Sequence, residues 1–130
     1  PLVGVNVTLY TTSGSVVATK TTDGNGEYYF STSDGLLPNT MYYVAVGTGG
    51  QFSNGKLSYN GNSFPLTLND KGAGSNPDIN DSDGIIGLAG APNAVLPYPA
   101  VKVTTGAEGS TNHTLDFGFT NVIINCKPLL

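Results

Sequence analysis

The residues best suited to chemistry in this 130-residue chain are the aspartates of one short segment. Carboxylates held close together repel one another unless a cation or solvent separates them, and hard oxygen ligands suit calcium. The segment is not an EF-hand, because counting back from Gly84 puts Ile79 at the first ligand position and Gly90 at the twelfth. Charge density therefore predicts either a calcium site or a solvated acidic loop. The four proposed ligands are Asp70, Asp78, Asp81 and Asp83.

Two tyrosines are candidates for a binding surface. Tyr29 and Tyr43 have the opposite strand parity to Phe30 and Val44, which are expected in the core. An outward-facing pair of rings would form a stacking surface for a sugar or a protein. The alternative is ordinary cross-strand pairing on one face of a sheet.

The other reactive side chains give no sign of catalysis. His113 is the single histidine, and no serine or cysteine near it has the context of an activated nucleophile. The single cysteine, Cys126, rules out an internal disulfide and shares one strand parity with Val122 and Ile124. We therefore predict no enzyme, with Cys126 either a small core residue or half of an interchain disulfide.

Composition narrows the class of partner. Charged residues make up 11% of the chain, the net charge is -4, and all five basic residues are lysines. Nucleic acid calls for a basic surface, so it is an improbable ligand. No apolar run approaches the roughly 18 residues that span a bilayer. Because the chain starts at Pro1 without a signal-like segment, we expect a processed or excised piece that forms one domain.

The elements that must position these residues are short strands. Residues 1–10 alternate in polarity, residues 15–22 form a β-branched run, and residues 41–46 alternate again. The turn formers at 23–26 predict a hairpin between residues 15–22 and 27–30. Residues 47–61 read as loop and edge structure, and three prolines predict an extended segment at 91–100. Strands at this spacing, with essentially no helix, predict an all-β fold, a two-sheet antiparallel sandwich.

The order of motifs resembles a known family. The matching runs are residues 4–10, 14–19, 22–30, 37–44, 76–84 and 112–119. Together they resemble the B-type repeat of serine-aspartate repeat surface proteins, relatives of the collagen-adhesin B domains. The resemblance covers about residues 3–120. It implies a prealbumin-like Greek-key sandwich, related in form to immunoglobulin domains, that is secreted and serves as a stalk or spacer on bacterial surfaces, often stiffened by calcium.

The chain departs from that family at both ends. The family's first strand and its aspartate-rich calcium loop are missing, and residues 121–130 extend beyond the usual end. A sandwich domain of residues 1–120 would then have an open sheet edge, which invites a strand from another molecule. The segment 121–130 either supplies that strand to a neighbouring subunit or pairs within its own domain. The expected contact residues are Val122, Ile124 and Cys126.

These observations favour an extracellular, non-catalytic module of a bacterial surface protein. It would act as a stalk, a spacer or a self-assembling filament subunit, with its own neighbours as partners. The alternative function is a carbohydrate-binding or host-protein-binding adhesin module.

Overall fold

A computed structural model of the chain describes residues 3–59, 61–65, 84–107, 117–119 and 122–126. Within these ranges the chain is all-β, as predicted, and its helical content is one 3₁₀ turn at Thr32–Asp34. The strands are β1 (Asn6–Thr11), β2 (Val16–Thr21), β3 (Glu27–Tyr28), β4 (Met41–Val46), β5 (Phe52–Ser53), β6 (Lys56–Tyr59), β7 (Asn62–Pro65), β8 (Ala100–Thr104), β9 (Phe117–Phe119) and β10 (Val122–Cys126).

The main sheet is antiparallel, with the strand order β2-β1-β4-β8. Its first hairpin closes where the amide of Thr11 donates to the carbonyl of Ser15 at 2.8 Å. Alternation in β1 places Val7 and Leu9 on one face, where both are fully buried. The β4 residues Val44 and Val46 lie on the same face and are equally buried.

That apolar face is one wall of the principal core. Tyr28 and Phe30 pack onto it from the region of β3, and Phe52 and Leu57 pack onto it from β5 and β6. Two smaller sheets supply these residues, with strand orders β3-β10-β9 and β5-β6-β7. The result is a sandwich-like arrangement, in which the pair formed by β10 and β3 is parallel rather than antiparallel. Greek-key connectivity stays a prediction.

The opposite face of the main sheet is also covered. Tyr10, Ala45 and Ala100 are buried there beneath Val95. The prediction that residues 91–100 are extended is wrong, because this stretch folds into successive turns. The carbonyl of Pro92 accepts from the amide of Val95 at 2.9 Å, and the carbonyl of Val95 accepts from the amide of Tyr98 at 3.0 Å. The main sheet therefore has a core on both sides.

The turn at residues 23–26 forms, but the hairpin predicted around it is wrong. The Asp23 side chain fixes the turn by accepting from the amides of Asn25 and Glu27, at 2.9 Å and 3.1 Å. The strands on either side of it belong to different sheets, because β2 pairs with β1 whereas β3 pairs with β10. This turn carries the chain from one layer of the sandwich to the other.

Residues 47–61 are more regular than expected. They contain β5 and β6, which continue into β7 as a three-stranded meander. A two-residue turn joins β5 to β6, with positive φ at Asn54 (53°) and Gly55 (76°), as a twisted hairpin requires. Pro65 ends β7, which is the last strand in the order of its sheet, a position where proline is tolerated.

One buried hydroxyl fastens the loop before β4 to the end of β8. Thr105 is 5% exposed, and its Oγ1 donates to the carbonyl of Leu37 at 2.6 Å. The same oxygen accepts from the amide of Thr40 at 2.9 Å. The Thr105 amide in turn donates to the Thr40 carbonyl at 2.9 Å. These bonds hold the loop against the sheet.

Candidate functional site

The most distinctive surface among the described residues surrounds Tyr29. Tyr28 and Phe30 are buried in the principal core, so strand alternation turns the ring between them outward, and Tyr29 is 56% exposed. The prediction that Tyr29 lies on the surface is confirmed. The Nζ of Lys20, from the preceding strand β2, lies 5.9 Å from the centroid of the Tyr29 ring. This distance is within the range of a cation–π contact.

The Lys20 ammonium is held in place by Asp34. Its Nζ lies 2.7 Å from Oδ1 of Asp34, in the 3₁₀ turn that follows β3. The other carboxylate oxygen of Asp34 accepts from the amide of Ser31 at 2.9 Å and so caps that turn. The Lys20 hydrogen bond, with help from Ser31, outweighs burial and lowers the pKa of Asp34 below its ordinary value. The carboxylate therefore stays ionised and keeps the ammonium beside the ring.

We name Tyr29, Lys20 and Asp34 the tyrosine patch. Its chemistry is that of a binding surface, with one apolar ring face beside a cation and a carboxylate. The Asp34 side chain is 14% exposed, against 37% for Lys20 and 56% for Tyr29, so the ring and the ammonium are the groups best placed to serve a ligand.

Tyr43 does not belong to this surface, and its prediction as an outward stacking residue is wrong. It lies on the other face of the main sheet, opposite Tyr10, and is 5% exposed. Its hydroxyl donates to the carbonyl of Gly90 at 3.2 Å. Strand parity separated Tyr43 correctly from Val44, but residues 84–99 cover the face that parity left open. The apolar residues between the prolines of this segment, such as Val95, were the signal in the sequence that the segment packs on the sheet.

Tyr10 is a second buried phenol in this region. Burial raises its pKa above the ordinary tyrosine value, and the nearby Tyr98 hydroxyl adds to the effect. Tyr10 therefore stays neutral well into the alkaline range.

The predicted calcium ligands Asp70, Asp78, Asp81 and Asp83 lie outside the described residues. In the parts of the chain that are described, no three His, Cys, Asp or Glu side chains come together as metal ligands would. The calcium site stays a prediction.

The predicted subunit-contact strand is present as β10, and its backbone pairs within the chain. Val122 and Ile124 lie opposite Phe119 and Phe117, and Cys126 lies opposite Tyr28 in the parallel pair. Pairing within the chain is one of the two alternatives that the sequence left open. Exchange between subunits preserves the same neighbours, so it stays a prediction as well.

Comparison of the chain with known protein families, with curated proteins and with solved structures finds no match. None of the described segments forms a helix with the length and apolarity that crossing a bilayer would need.

Proposed function

We propose that this chain is an extracellular structural module of a bacterial surface protein, without catalytic activity, that works as a stalk, a spacer or a self-assembling filament subunit. The observation that carries the proposal is the place of the last described strand. β10 lies between β9 and β3, in the middle of its sheet rather than at an edge. A strand with partners on both sides can exchange into a neighbouring copy, where it completes that copy's sheet.

The pairing of β10 is short enough for exchange. It has three residue pairs with β9 and two with β3, whereas β1 has five pairs with β4 alone. Each pair lost within the chain is regained in the neighbour, so the cost of exchange is mainly the entropy of association. If each copy gives its strand to the next, the contact is head-to-tail and builds a fibre.

The rest of the fold suits a mechanical role. The main sheet is packed on both faces, and side-chain hydrogen bonds fasten its loops at Asp23 and Thr105. Opening such a sheet exposes two cores at once, which resists local unfolding. The resemblance to bacterial surface repeats agrees with this role and adds calcium as the proposed stiffening ion.

Negative-stain electron microscopy tests the proposal. The full chain should form fibres, and a chain truncated after Thr120 should form none. The matched control is truncation after Cys126, which removes four residues but keeps β10 and should leave the fibres intact. A peptide of residues 121–130 should complete the shorter chain as single particles, which separates loss of exchange from loss of folding. If calcium is bound, a chelator should shorten or soften the fibres. Fibres of the chain truncated after Thr120 would overturn the exchange.

Single particles of the full chain under every condition would remove self-assembly and leave a stalk or spacer carried by a longer protein.

The second candidate is a carbohydrate-binding or host-protein-binding module, and the tyrosine patch is the observation that favours it. An exposed ring beside a fixed ammonium suits stacking on a sugar with hydrogen bonds to its hydroxyls. Binding on a glycan array that is lost in Tyr29→Ala but kept in Tyr29→Phe would support it. Leu37→Ala is the matched control, because Leu37 is similarly exposed, at 60%. Binding that is unchanged in Tyr29→Ala would exclude the tyrosine patch.

A further inference from the structure

β2 forms one edge of the main sheet. β2 is the first strand in the order of the main sheet, so among the described residues no strand of that sheet pairs with its outer side. The carbonyl of Val5 accepts from the amide of Thr22, so the backbone groups of Val5 point toward β2. The carbonyl of Asn6 accepts from the amide of Gly47 at 2.8 Å, so the backbone groups of Asn6 point the other way, toward β4.

This alternation continues along both strands. Val7 and Leu9 face β2, and their partners Lys20 and Ala18 face β1 in return. The backbone N–H and C=O groups of Thr19 and Thr21 therefore point outward from the sheet. An edge with such groups is a template for another strand unless a charge, a proline or a cover protects it.

β2 has few of the features that usually keep an edge strand from pairing with another strand. Its one charged residue is Lys20, and that ammonium is drawn to Asp34 at 2.7 Å. The other edge of the same sheet is better defended. Ile85 forms a bridge with Ala100, and Lys102 lies exposed on β8. Of the two edges, as far as the described residues extend, β2 is the less protected against pairing.

A row of threonine hydroxyls ends at this edge. The Oγ1 of Thr48 lies 2.7 Å from that of Thr8, and the Oγ1 of Thr8 lies 3.1 Å from that of Thr19. Thr8 is buried, whereas Thr19 is exposed. A second strand placed against β2 with a threonine opposite Thr19 would continue the row, and cross-strand threonine pairs stabilise sheets.

We propose that the partner of this edge is β2 of a second copy, antiparallel, with Thr19 on the two-fold axis. In this register Lys20 lies across from Ala18 of the second copy. Moving the axis by one residue would set Lys20 against Lys20, and like charges directly opposite are destabilising. The chosen register joins the two threonine rows and makes one continuous eight-stranded sheet from two four-stranded ones.

This contact is small, because six residues from each copy take part. Interfaces below roughly 1,200 Å² in total are weak, so the dimer forms at high protein concentration. It is independent of strand exchange by residues 121–130, since β2 and β10 belong to different sheets.

Sedimentation velocity over a range of concentrations tests the dimer. The protein is used with and without the peptide of residues 121–130 in excess, so that fibres do not hide the dimer. Thr19→Lys should weaken dimerisation at least about tenfold, because it brings two ammonium groups together on the axis. The matched control is Thr104→Lys, since Thr104 is also an exposed threonine on an edge strand of the same sheet, and it should leave dimerisation unchanged.

A charge-swap experiment makes the test specific to the two-fold contact. Thr19→Glu alone should also be monomeric, and an equal mixture of Thr19→Lys and Thr19→Glu should dimerise again. Hydrogen exchange of the wild-type protein should show the Thr19 and Thr21 amides slowing as concentration rises, while the Thr104 amide is unaffected. A wild-type protein that stays monomeric at millimolar concentration, or a dimer that survives Thr19→Lys, would overturn the proposal.

Discussion

Replacing Thr105 with valine tests most directly the hydrogen bonds that hold the loop before β4 against the end of β8, which we call the loop clamp. Valine has nearly the shape of threonine, so Thr105→Val removes the hydroxyl without making a cavity. The loss includes the 2.6 Å bond to the Leu37 carbonyl and the 2.9 Å bond from the Thr40 amide. Each ordinary hydrogen bond contributes about 1 kcal/mol, and an amide left without a partner costs about 1–3 kcal/mol. Thr40 is half-buried and gains some contact with water, so we expect a loss of about 2 kcal/mol in the free energy of unfolding.

Urea unfolding followed by circular dichroism measures this loss. With a typical slope of roughly 1–3 kcal/mol per molar urea, the midpoint should fall by roughly 1 M and the slope should not change. Thr104→Val is the control, because Thr104 is exposed, and its change should stay within about 0.5 kcal/mol. A loss below about 0.5 kcal/mol in Thr105→Val, with an unchanged slope, would refute the clamp.

Three further predictions concern the core and the tyrosine patch. Gly47→Ala should lower the free energy of unfolding in urea by at least about 2 kcal/mol, because φ is +81° and the new Cβ would lie 2.6 Å from the Cβ of Phe52. Gly50→Ala is the control, because φ is +93° there but the space around it is open, and it should cost about half as much. Tyr43→Ala should cost about 3 kcal/mol, and Tyr29→Ala less than about 1 kcal/mol; equal losses would contradict their different burial. Asp34→Asn should destabilise by less than about 1 kcal/mol at pH 7. Because the folded-state pKa of that aspartate is lowered, this difference is full above the ordinary value of 3.8 and is lost as pH falls through the lowered pKa. A difference that does not shrink as pH falls below 3.8 would refute the ion pair.

Local patterns predicted the strands well. The expected bounds of residues 41–46 coincide with β4, and the first hairpin forms between the alternating run 1–10 and the β-branched run 15–22. Both follow from side chains that lie within one strand or across one tight turn. The turn between β5 and β6 was missed, because residues 47–61 were read as loop and edge structure, although Asn54-Gly55 is a strong signal for a two-residue hairpin.

Pairing over long distances was harder to predict. The turn formers at 23–26 give a change of direction, but they do not select the next partner of the chain. That partner is β10, almost a hundred residues further on, and no local pattern in either segment encodes the choice. The same limit applies to Tyr43, because its burial depends on residues 84–99, which fold over the sheet from a distant part of the sequence.

The tyrosine patch was half predictable. Alternation alone placed Tyr29 outward between two buried rings. Lys20 and Asp34 come from elements on either side of a layer crossing, so their contact depends on the tertiary fold. Only the three-dimensional arrangement brings the charge pair to the ring.

A disulfide across the β3–β10 pair tests the central proposal most directly. Glu27 and Asn125 are direct neighbours in the parallel pair, and a disulfide needs Cα atoms within about 7 Å. The protein to use carries Glu27→Cys and Asn125→Cys with Cys126→Ser, so that the two introduced thiols are the only ones in the chain. If β10 is exchanged between copies, mild oxidation will give covalent ladders of dimers, trimers and longer chains on a denaturing gel without reductant. A single band of cross-linked monomer at every protein concentration would contradict the exchange and keep β10 within its own chain.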